Sequence, residues 1–182
     1  MILLMIKDNI ALSRKVYVDQ IKGLLLTKFA EHSPVWIYMS SRELTAAESA
    51  EMETAVQQFA KSWLSHGSAV AGFGVVLFNR FLILSANAGQ IAPSGCSIDS
   101  SVGFVKSLEE EYSLDFFDRM KVAFIDEEGE IDTISINSVH NAVSEGTVNE
   151  KTPIFDNTIT QVGPFADKWI VPLEDSWVRN FL

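Results

Sequence analysis

The chain's only cysteine, Cys96, stands in Pro93-Ser94-Gly95-Cys96-Ser97-Ile98-Asp99-Ser100-Ser101, among serine hydroxyls and beside a glycine. Two chemistries suit those residue types. The first is nucleophilic. The segment opens residues at helical spacing, and the free N–H groups of a helix start favour a thiolate. His66 is the base expected to serve Cys96, ahead of His32 and His140, because it ends a helical pattern beside Gly67; Asp99 would orient the imidazole. The second chemistry is anion binding. First-turn amides lack internal acceptors. Gly95 lets a ligand approach the backbone, and the hydroxyls of Ser94, Ser97 and Ser100 rotate to donate. Arg42 would complete the pocket with a planar fork suited to carboxylate or phosphate. A plainer reading uses the same residues structurally: Ser97 caps the helix, Asp99 favours its first turn, and Cys96 is a small buried hydrophobe.

Other reactive patterns are incomplete. Gly95-Cys96-Ser97-Ile98-Asp99 lacks the final glycine of a nucleophile elbow, and a long loop separates it from the preceding strand. Gly72-Phe73-Gly74 starts like a dinucleotide fingerprint but has no third glycine, and no Gly-Lys-Ser or Gly-Lys-Thr follows any glycine. An ATPase is therefore not expected. Glu109-Glu110-Glu111 and Asp126-Glu127-Glu128-Gly129-Glu130 lack calcium-loop spacing and read as solvated. The three histidines show no metal-binding spacing, so neither metal nor cofactor is expected.

These residues need elements to hold them. Val18, Ile21, Leu25 and Phe29 predict a helix over about 13–30, stopped before Pro34. Val35–Met39 reads as a buried strand. Thr45 and Glu48 form a capping box for a second helix with the stripe Met52, Val56, Phe59 and Trp63, closed by Gly67. Val70–Phe78 and Phe81–Ser85 predict a hairpin turning at Asn79-Arg80, with Gly72 and Gly74 marking a bulge or a close approach. Ile98, Val102, Val105, Leu108 and Tyr112 mark the third helix. Lys121–Ile125 and Ile131–Ile136 form a second hairpin, and Ser138 caps a short helix. Residues 146–157 read as a polar linker, Ile170–Pro172 as a short strand, and Trp177 with Phe181 as a closing helix.

Hairpins interleaved with helices predict an α+β fold with a mainly antiparallel or mixed sheet covered by helices. A doubly wound parallel sheet is the alternative. The expected organisation is a helical extension over 1–34 and a single α+β domain over 35–182. Trp36, Val56, Phe59, Trp63, Leu82, Leu84, Val102, Val105 and Phe124 are the expected core. A chain of 182 residues with 47% hydrophobic and 21% charged content can bury such a core. The net charge of −10 argues against nucleic-acid binding and favours solubility.

One cysteine leaves no intramolecular disulfide and fits a reducing compartment. Met1–Ile6 is apolar but ends at Lys7 and Asp8, a poor signal peptide. No apolar run nears the roughly 18–20 residues of a membrane helix. A soluble cytoplasmic protein is expected, with no membrane insertion.

Several landmarks recur together: Trp36-Ile37-Tyr38 with Ser41-Arg42, Trp63 with His66-Gly67, Arg80-Phe81-Leu82-Ile83-Leu84, and Ser94 to Val102. Phe117-Asp118-Arg119-Met120, Asn157-Thr158 and Ser176-Trp177 complete the set. From about Val35 onward the chain resembles an uncharacterised bacteroidete protein family commonly labelled "ABC transporter ATPase". The resemblance implies a bacterial, non-secreted protein and carries over no catalytic residue. An ATPase of that class needs a P-loop, which this chain lacks.

The expected function is a non-enzymatic binding or interaction domain with a small polar, anion-binding pocket at residues 94–101. The alternative is a small thiol-dependent enzyme using Cys96 and His66. Expected partners are a small anionic ligand, or a protein partner or second copy docked through Trp169 and Trp177.

Overall fold

Phe81–Ala86 is apolar without alternation because it is a middle strand, buried along its whole length. The computed structural model describes residues 12, 14–20, 29–89 and 91–182. They fall into two compact units, one over 29–89, 91–118 and 157–165, the other over 12, 14–20, 119–156 and 166–182. All strand pairs among the described residues are antiparallel, so the fold is α+β and the parallel alternative is excluded.

The first unit contains β1 (Val35–Met39), α1 (Ala46–Ser62), β2 (Leu64–Ser65), β3 (Ser68–Ala69), β4 (Gly72–Leu77), β5 (Phe81–Ala86) and α2 (Gly95–Tyr112). Its main sheet runs β1-β5-β4, with Trp36 opposite Leu84 and Gly74 opposite Leu84 from the other side. The register of β4 is regular, so Gly72 and Gly74 mark no bulge. They admit α1 instead. A Cβ on Gly72 would lie 2.7 Å from the Ala60 carbonyl oxygen, and one on Gly74 would strike the Val56 side chain. Met52, Val56, Leu82, Leu84, Val105 and Leu108 then share one core, lined by Trp36, Phe59 and Phe104.

Thr45 starts α1 as expected: its hydroxyl accepts from Glu48 N–H, and the Glu48 carboxylate accepts from Thr45 N–H at 2.8 Å. The end of α1 differs from expectation. Trp63 is its C-cap in an extended conformation, and Gly67 lies beyond it. His66 and Gly67 have φ of 50° and 80°, the positive values that the tight two-residue turn between β2 and β3 requires. The next turn is also displaced. Arg80 N–H donates to the Leu77 carbonyl at 3.0 Å, and Phe78 and Asn79 hold positive φ, so the turn centres on Phe78-Asn79 rather than Asn79-Arg80.

The second unit contains β6 (Lys121–Ile125), β7 (Ile131–Ser135), α3 (Val139–Ser144), β8 (Pro153–Phe155) and β9 (Ile170–Pro172), in sheet order β7-β6-β8-β9. The expected hairpin is present, and Asp126 organises its turn by accepting from the N–H groups of Glu128 and Glu130. That part of the acidic run is structural rather than merely solvated. Ser138 precedes α3 without a side-chain cap bond. The expected polar linker contains β8, an interior strand buried at every position. Phe124 packs with Val122, Ile154, Leu173 and Val178, a core distinct from that of Val105 and from the cluster of Trp63, Val70 and Ala86. Residues 14–20 are helical, with Tyr17 OH donating to the Gly129 carbonyl and Arg14 Nε to that of Ile170. Ser13, Ile21 and Leu25 of the predicted first helix lie outside the described residues, and Phe29 lies in a bend rather than a helix. The chain also forms α4 (Val162–Lys168), which the periodicity did not reveal.

Candidate functional site

The helix start at 94–101 is built from the end of α1. Trp63 leaves α1, and its Nε1 donates to the Ser97 carbonyl at 2.8 Å. Ser65, the next buried residue, accepts from Ser94 N–H at 3.1 Å. These two bonds fix the β2–β3 hairpin against the first turn of α2. Neither Trp63 nor Ser65 stood out as a site residue. Trp63 read as the last member of an apolar stripe, and Ser65 carried no sequence signal.

Ser94, not Ser97, is the N-cap of α2, accepting from Ser97 N–H. Ser97 is 2% exposed, with its hydroxyl donating to the Ser94 carbonyl at 2.7 Å. Ser100 Oγ donates to the Ser97 carbonyl and Ser101 Oγ to that of Ile98. Of the hydroxyls expected to meet a ligand, those of Ser97 and Ser100 are therefore spent on the helix's own carbonyls, and that of Ser94 on capping and on the Ser97 hydroxyl. The buried face of α2 runs Ser97, Ser101, Val105, Leu108, so Ile98 and Val102 are only half-buried. Small serines suit a helix start seated close to Trp63. Asp99 is exposed and lies past the first turn, which contains no acidic residue.

Arg42 does not join this group. Its guanidinium grips Glu48 through both nitrogens, at 2.9 and 2.7 Å, and donates to the Tyr112 carbonyl at 3.2 Å. Tyr112 ends α2 and Ser97 lies near its start, so a rise of about 1.5 Å per residue separates them by roughly 20 Å. That exceeds a Debye length of about 8–10 Å, and Arg42 drops out of the proposed pocket. Its hydrogen bond, followed by that of Thr45 N–H, lowers the Glu48 pKa to about 2, while the same ion pair raises that of Arg42. Nearby, burial and then the charges of Glu111, Glu51 and Glu48 push the Tyr112 hydroxyl up.

Cys96 is exposed rather than buried. His66 is exposed in the hairpin turn beside Ser65, yet among the described residues no hydrogen bond joins it to Cys96. Glu109 accepts from Phe116 N–H at 2.5 Å, so it braces the chain after α2 instead of facing only water. Trp169 is fully buried and unavailable for docking, and Trp177 is half-buried against Phe181.

What remains open is backbone. The N–H groups of Gly95 and Cys96 have no partner among the described residues, and both residues are exposed. Nothing lies within 4 Å of where a Gly95 Cβ would stand. Leu64 and Ile91, neighbours in sequence of the Ser65–Ser94 contact, are 53% and 42% exposed. Among the described residues, no group of His, Cys, Asp and Glu could hold a metal ion, and no helix is long and apolar enough to cross a membrane. No family model, curated protein or solved structure matches this chain.

Proposed function

We propose that the chain is a non-enzymatic binding module that takes a small carboxylate or phosphate at the start of α2. The observation that carries this reading is the pair of accessible, unpartnered amides at Gly95 and Cys96 on a turn anchored by Trp63 and Ser65. Two parallel N–H groups at the positive end of a long helix match an anionic oxygen without a cationic side chain. Titrating ¹⁵N-labelled protein with inorganic phosphate, and separately with acetate, tests it. Saturable shifts of the Gly95 and Cys96 amides are expected; unmoved amides with both anions contradict the reading.

The exposed thiol favours a second reading, a thiol-dependent enzyme using Cys96 with His66. It requires His66 to swing onto the thiol. A bacterial origin and a cytoplasmic location accompany both readings, supported by the family resemblance and the single cysteine.

A further inference from the structure

We draw no further inference here: the strongest candidate, the surface patch formed by exposed Leu12 and Val16 on the N-terminal helical stretch, is an unpartnered apolar face, and nothing in the structure shows what covers it.

Discussion

Trp63 Nε1 donates to the Ser97 carbonyl oxygen at 2.8 Å, joining the end of one long helix to the beginning of the next. The indole is 2% exposed and meets Trp36 edge-on at 5.6 Å and Phe59 at 5.4 Å. One side chain thus ties the core to the turn that presents Gly95 and Cys96.

Trp63→Phe keeps an aromatic ring but removes the donor. It is expected to cost about 1–2 kcal/mol in urea unfolding, the range for a buried hydrogen bond with some lost packing. Trp63→Ala should cost about 3–5 kcal/mol. Equal, negligible losses in both variants would mean that the indole bond does not hold this corner.

The glycines separate packing from flexibility. Gly74→Ala drives a methyl into Val56 and should destabilise by about 1–3 kcal/mol, as overpacked cores do. Gly103→Ala sits in the helix interior with open space around it and should stabilise by about 0.5–1 kcal/mol. Thermal melts of the two variants must move in opposite directions; a shift of Gly74→Ala to higher temperature contradicts the α1–β4 packing.

The start of α1 makes a pH-dependent contribution whose sign is fixed. The Glu48 pKa is lowered from 4.5 to about 2, chiefly by Arg42. A depressed carboxylate stabilises the fold above its unfolded value and loses that effect as pH falls through its folded value. Glu48→Gln should therefore be less stable than wild type near neutrality. The gap should close as pH drops toward 2, and high salt should narrow it because the pair is exposed. A gap that is constant from neutral to acid pH contradicts the Arg42–Glu48 assignment.

The reading of Cys96 as a lone surface thiol is tested by alkylation. His66→Ala should leave the iodoacetamide rate of Cys96 unchanged across pH 6–9. A rate that falls several-fold on losing His66 would restore the thiol-enzyme reading.

Much of the fold is legible in the chain because local rules act alone there. Thr45 with Glu48 and the apolar Val35–Met39 each hold their own signal within a few residues. Pro153–Phe155 does not: it is too short and too polar-flanked to read as a strand, and its pairing with Phe124 and Val171 is long-range. The site was half legible. A serine-rich helix start announces exposed amides, but serines also bond backward to their own carbonyls, and only the fold shows which use wins. Arg42 looked free because its bidentate partner Glu48 already had a complete role as a capping residue in the sequence.

The proposed anion site consists of the Gly95 and Cys96 amides, and proline at the first helical position deletes one of them with little effect on the helix. Ser94 already has the extended φ and ψ of −82° and 169° that a following proline requires, and the space at Gly95 is open. Phosphate affinity, measured by amide shifts on wild type, Gly95→Pro and Arg42→Ala, is therefore the most direct measurement. Gly95→Pro should weaken binding roughly tenfold, the scale of one hydrogen bond to a charged group, while Arg42→Ala should match wild type. Undiminished binding in Gly95→Pro, or loss of binding in Arg42→Ala, would contradict an anion site at the start of α2.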